Sequence, residues 1–332
     1  MNISSNTVAK IKAFTGRAGN IVNWQGMQLA GLVVVLGIMI VVSSMVSPFF
    51  LTPFNITIMI RELAFVGIIG IAQGLLLING DIDISIGSIA GLGAVIFGTL
   101  MVRMGLDPNI ALVLALASGA LLGAFNGFLI TFFSISALVL TIGTQVAYRG
   151  LATAVSEGRT ISGFPSDLLP LGQGVWYGIP VPTMFLIGVF VFAWVLTKKT
   201  TFGRKMYAIG NSPEAAQLVG IRTSRMRVTT YAISGTLAAL AGILMSLRIA
   251  SAQVSIGQIW LLPSIAAPVI GGIAITGGIG TITGALVGAA IMGVIANIVV
   301  LGGVSLYWQQ TINGTVVVIA IIFDSIARRF RK

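Results

Sequence analysis

The sequence predicts an all-α polytopic membrane protein of about ten transmembrane helices. Of its 332 residues, 56% are apolar and only 8% charged, where a soluble domain carries about 25% charge. Mean hydropathy is +1.04. The apolar residues also gather into runs of about 20, the length that crosses a bilayer.

Residues 1–27 are polar and weakly basic, with Lys10, Lys12 and Arg17, and form an N-terminal segment ahead of the transmembrane domain, 28–327. The first apolar run has no small-residue cleavage site after it, so it is expected to be an uncleaved helix and not a signal peptide. Spans are expected at 28–47, 57–79, 86–103, 109–131, 136–155, 181–197, 227–249, 258–276, 281–301 and 307–327, followed by a tail, 328–332. The span 258–276 is interrupted by Pro263, Pro268 and Gly271–Gly272.

Cations orient the chain. They cluster in the N-terminal segment, in the tail (Arg328, Arg329, Arg331, Lys332) and in the segment 198–227, which holds Lys198, Lys199, Arg204, Lys205, Arg222, Arg225 and Arg227. Ten spans divided six and four put all three clusters, and both termini, on the cytoplasmic side. The net charge of +11 is therefore topology and not a nucleic-acid footprint. The longest external loop is then 149–180. Its Arg149, Glu157, Arg159 and Asp167 are either a solvated loop or a docking surface for an extracytoplasmic partner.

Cysteine and histidine are both absent. That removes disulfides, thiolate chemistry, and the commonest metal ligand and general base. With eight acidic residues in all, no catalytic set and no metal site is expected.

Two of those acids, Asp81 and Asp83, stand in NGDIDISIGS (79–88), between apolar runs. Gly80 can end one helix and Asp83 or Ser85 can cap the next. The stretch reads as a helix break near the inner side, and irregular backbone at membrane depth is tolerated where it lines a cavity or is buried in protein. Gly80, Asp83, Ser85, Gly87 and Ser88 are its candidate gating residues.

Gly119, Gly123 and Gly127, and again Gly284 and Gly288, recur at the interval that lets helices pack closely in lipid. The motif G-A-L-x-G-A occurs at 119 and at 284. These helices run in opposite directions in the orientation above, the mark that an inverted repeat of spans 2–5 and 7–10 leaves.

Residues 212–220 spell a short helix in the cytoplasmic loop 198–227. Ser212 is a good N-cap, Pro213 suits the first position, Glu214 meets the positive helix end and Gly220 can take the left-handed C-terminal position. Ala215, Ala216, Leu218 and Val219 lie between. Such a helix either enters a groove on another protein or lies on the membrane surface.

E-A-A-x-x-x-G here resembles the coupling motif of bacterial ABC importer permeases. TFGRKMYAIGNSPEAAQLVGI (201–221) is similar to the branch that imports simple sugars (ribose, xylose, galactose) and autoinducer-2. IDISIGS (82–88), Asn126–Gly127, TIGT (141–144), Arg149–Gly150 and GGIAITGGIGTITGALVGAAIMG (271–293) extend the likeness over about 55–325. The resemblance implies two permease subunits forming the pathway, copies or relatives of one another, with two ATPase subunits and an extracytoplasmic substrate-binding protein. ATP and Mg²⁺ would sit on the ATPase. This chain has no G-x-x-x-x-G-K-[ST] phosphate loop and is expected to carry no cofactor and to catalyse nothing itself. Glu214, Ala215, Ala216, Leu218 and Gly220 would couple to the ATPase.

The sequence departs from the family in LPSIAAPVIGG (262–272), in ISAL (135–138) and at Asp81, which stands where the family usually has glycine. Asp81 is accordingly expected to be merely hydrated. Asn126, Thr141, Ser85, Ser88, Gln258 and Trp260 are the pathway candidates. Each is equally a helix-packing group or, for Trp260, an interfacial anchor. Two other readings stand beside the importer: an ion-coupled transporter whose cation site is Asp81 and Asp83, and an uncoupled channel.

Overall fold

The computed structural model describes residues 5–303 and 308, 311, 312, 314, 315 and 318, with only the backbone for 5–25. The expected tenth span, 307–327, falls largely outside the described residues, and the tail 328–332 wholly so.

The chain is built of helices. The first, α1 (Ser5–Val46), starts well ahead of its apolar part, Gly26–Val46. Val33, Val34, Ile38 and Val41 on it face outward, as they do where lipid is the solvent. Then come α2 (Pro53–Ile78), α3 (Ile86–Gly98, prolonged by a π-helical turn Thr99–Arg103), α4 (Pro108–Phe132) and α5 (Ala137–Ser156). A capping region follows, with β1 (Ile161–Ser162), α6 (Pro170–Gln173), β2 (Val175–Trp176) and β3 (Ile179–Pro180). Next are α7 (Val181–Lys199), α8 (Thr201–Asn211), α9 (Pro213–Leu218), α10 (Thr223–Arg248), β4 (Ser251–Ala252), α11 (Leu261–Ile270) and α12 (Ile282–Leu301). Among the described residues, eight helices are long and apolar enough to cross a membrane.

Two expected boundaries move. The run 258–276 is helical only as a 3₁₀ turn (Gln258–Trp260) and α11, because Pro268 interrupts the backbone ladder and Gly271–Gly272 turns the chain away. At 1.5 Å per residue, α11 is about half a bilayer core in length. The connection expected from residue 149 starts at Glu157, because α5 runs on to Ser156.

The core is α2, α3 and α10, wrapped by α4, α5, α11 and α12. Gly119 and Gly235 lie so close across α4 and α10 that neither has room for a Cβ. Gly127 meets Val228 Cα at 2.8 Å from where its own Cβ would stand. Gly284 and Gly271 do the same between α12 and the end of α11. Small residues thus perform the packing expected of them, which in lipid must stand in for the hydrophobic drive. At one end of the bundle β1 pairs antiparallel with β4; α8 and α9 lie at the other end.

Candidate functional site

The break between α2 and α3 organises the site. Gly80, at φ +86°, ends α2 in a left-handed turn: its N–H donates to Leu77 O and that of Asp81 donates to Leu76 O, both at 2.9 Å. Only glycine adopts this conformation without cost. The chain restarts at Ser85, whose backbone N–H (2.7 Å) and hydroxyl (2.6 Å) both donate to Asp83 Oδ1. Asp83 thus closes a turn just ahead of α3, and among the described residues no side chain caps the helix itself.

A polar ring closes around this break. Asn126 Nδ2 donates to Ser85 Oγ at 2.9 Å, and Tyr148 OH donates to Asn126 Oδ1 at 2.7 Å. Ile84 N–H donates to Thr141 Oγ1 at 3.0 Å, and Tyr231 OH to Ile82 O at 3.1 Å. The Gln73 amide, oriented by its neighbours, accepts from Asp83 N–H at 3.1 Å and donates to Asp83 O at 3.2 Å. Four helices (α2, α4, α5 and α10) contribute, and Gln73, Asp83, Ser85, Asn126 and Thr141 are fully buried. Unwound backbone at this depth needs such partners, since a buried unpaired amide costs about as much as a lost hydrogen bond. Asp83 Oδ2 is buried without a partner among the described residues.

Asp81 is not hydrated, contrary to expectation. It is buried, and its Oδ2 accepts from Arg227 Nε at 2.8 Å and from Asn79 Nδ2 at 3.2 Å. Arg227, in the first turns of α10, neutralises the carboxylate and makes it a poor cation ligand.

On the other flank, Gly210 of α8 is pressed against Ile78 O and the backbone of Gly278, with no room for a side chain. Gly278 N–H donates to Ile78 O at 3.0 Å, Asn211 Nδ2 to Gly278 O at 3.2 Å and Tyr207 OH to Gly280 O at 2.8 Å. Burial pushes the Tyr207 phenol up to about 12, so it remains a proton donor. The helices before and after α9 thus both grip the α2–α3 break, and α8 also grips the loop between α11 and α12.

The short helix itself forms as its sequence predicts. Ser212 Oγ accepts from Ala215 N–H at 3.2 Å, Pro213 occupies the first turn, and Gly220 takes φ +82°. Ala216 is buried, whereas Glu214 and Ala215 face out; Leu218 is 89% and Val219 76% exposed.

A third feature is a cavity of about 240 Å³ between α3, α5 and the start of α11. Ser88, Gln145, Arg149 and Gln258 line it, above the backbones of Gly87 and Gly257.

A family model described as "branched-chain amino acid transport system / permease component" matches residues 55–321. The chain belongs to this permease family. It is a multi-pass protein of the bacterial inner membrane. It is 37% identical to the ribose import permease protein of Bacillus subtilis over 90% of this chain and 93% of the relative. Against the autoinducer 2 import system permease protein of Photorhabdus laumondii it is 35% identical over 81% of each chain. Against the ribose import permease protein of Haemophilus influenzae it is 34% identical over 88% and 91%.

In the permease, Ser85, Asn126 and Thr141 come together with Asp83, as the braces of the break. Ser88 and Gln258 meet at the cavity. Trp260 is buried and stacks on Phe65, ring centroids 6.1 Å apart, with the Arg248 guanidinium 5.6 Å from the Phe65 centroid. Arg149 does not stand in a loop with Glu157, Arg159 and Asp167; it lies within α5, on the cavity, while those three are exposed in the capping region. Sequence reasoning missed α8, although Thr200 as N-cap and Met206, Ile209 and Gly210 at helical spacing announced it. It also missed Arg227, Gln73, Tyr148 and Tyr231, whose partners are remote in sequence.

Proposed function

We propose that this permease is the transmembrane subunit of an ATP-driven ABC importer and forms the pathway for a monosaccharide or sugar-like molecule handed over by an extracytoplasmic binding protein. The likeness to ribose and autoinducer 2 import permeases over four-fifths or more of their length carries this reading. The chain itself would catalyse nothing and hold no cofactor; two ATPase subunits would bind ATP and Mg²⁺, and a second permease, a copy or a relative, would complete the pathway.

In this reading α9 is the coupling helix. Its exposed Glu214, Ala215, Leu218 and Val219 suit a groove on the ATPase better than a bare aqueous surface. A push on α9 moves α8 and α10 together. Gly210 and Arg227 then deliver that displacement to the break at 79–85. Only a nucleotide state with differential contact to α9 can bias the break this way.

The same reading holds ten spans, cytoplasmic termini and Glu157, Arg159 and Asp167 at the binding-protein side. It also holds an inverted repeat. α2 is followed by Ile84-Ser-Ile-Gly87, and α10 at the same distance by Val254-Ser-Ile-Gly257. Gly87 and Gly257 meet backbone to backbone, as residues on a pseudo-two-fold axis would.

The test is substrate-stimulated ATP hydrolysis by the assembled complex in proteoliposomes. Glu214→Lys and Gly220→Pro should abolish stimulation while the permease still inserts; proline cannot take a positive φ. Normal coupling in both variants removes the role assigned to α9.

A further inference from the structure

We propose that the cavity walled by Ser88, Gln145, Arg149 and Gln258 is the permease's own solute site, built for a neutral polyhydroxylated molecule of monosaccharide size. This rests on the importer reading and adds to it the residues that touch the solute.

The observation that singles it out is a charge inside a span. Arg149 lies within α5, exposed on the helix yet lining the open cavity, and ionisable groups at membrane depth mark watered cavities where they serve function. Among the described residues no carboxylate lies within ion-pair distance of it. Its guanidinium instead donates from Nε and Nη2, at 3.2 Å each, to the Gln258 side-chain oxygen, with that amide turned to receive it. Gln258 begins the short 3₁₀ turn ahead of α11, whereas Arg149 and Gln145 stand one helical turn apart on α5. Ser88 belongs to the first turn of α3. Three elements from both halves of the chain therefore turn polar side chains onto one space.

The chemistry of the wall selects the ligand. Two amides and a hydroxyl offer both donors and acceptors, which matches vicinal hydroxyls. The guanidinium adds fixed donors and is already partly satisfied by Gln258, so a full anion is not required. Among the described residues no large aromatic face lines the space, which leaves hydrogen bonding to hold the solute weakly; a relay site must also release what it accepts. Below it, Gly87 and Gly257 touch so closely that no side chain fits at either position. These two glycines form the floor, and their parting would open the site toward the break.

The absence of cysteine from the chain makes a clean experiment. Single Ser88→Cys and Gln145→Cys variants, assembled with ATPase and binding protein in proteoliposomes, are treated with a charged membrane-impermeant thiol reagent. Both should react, modification should stop ribose import, and free ribose should slow the reaction; Asn126→Cys, behind the wall, should stay unreactive. Independently, Arg149→Gln should lower ribose import about tenfold or more, the effect of losing a charge-assisted contact, while binding-protein-stimulated ATP hydrolysis persists. Unreactive cavity cysteines, modification without effect on import, or wild-type import by Arg149→Gln would each overturn the assignment. If the wild-type complex imports nothing under ATP, the importer reading fails instead.

Discussion

Asp81 and Asp83 stand one residue apart yet do different things. Asp83 closes a local turn on Ser85, and that role was legible because a short carboxylate two residues ahead of a helix start is a local device. Asp81 pairs with Arg227, 146 residues away, and nothing in the neighbourhood of either announces the pair. Removing one partner strands a largely buried charge, which costs several kcal/mol when burial is complete and less here because Arg227 is partly exposed. Arg227→Gln should therefore lower both the apparent melting temperature in detergent and transport. Adding Asp81→Asn should restore part of the loss, with a coupling of about 1 kcal/mol in a double-mutant cycle. Strictly additive losses would dissolve the pair.

At the scale of elements, apolar run length placed the spans well, because bilayer thickness imposes it. It blurred 258–276, where Pro268 and the glycine pair cut the helix to ten residues, since hydropathy averages over backbone breaks. The short helix α9 was readable from Ser212, Pro213 and Gly220. Its neighbour α8 is amphipathic inside a stretch dominated by cations, which hide the helical spacing of its apolar face. The contact of α8 with both loops predicts that Gly210→Val, which has no room for its side chain, forces the two apart. Overpacking of this kind costs about 1–3 kcal/mol. The variant should insert and bind the ATPase, yet hydrolyse ATP without importing sugar. Import at the wild-type rate would show that α8 transmits nothing.

Across the whole molecule, α3 and the short α11 start from opposite breaks, and the chain ahead of α11 meets α3 where Gly257 touches Gly87. One break is tied to the coupling segment by Gly210 and Arg227; the other carries Gln258 into the cavity. A displacement at α9 therefore has a continuous packed route to the floor of the solute site. The class of machine was readable from motif order along the chain; the route was not, because it runs through backbone contacts between glycines that leave no side-chain signature. The most direct measurement is uptake of labelled monosaccharides by the permease reconstituted with its ATPase and binding protein. The account predicts uptake that requires ATP in the lumen facing α9 and is indifferent to an ionophore. Uptake that survives ATP depletion and collapses when Na⁺ and H⁺ gradients are dissipated would contradict it.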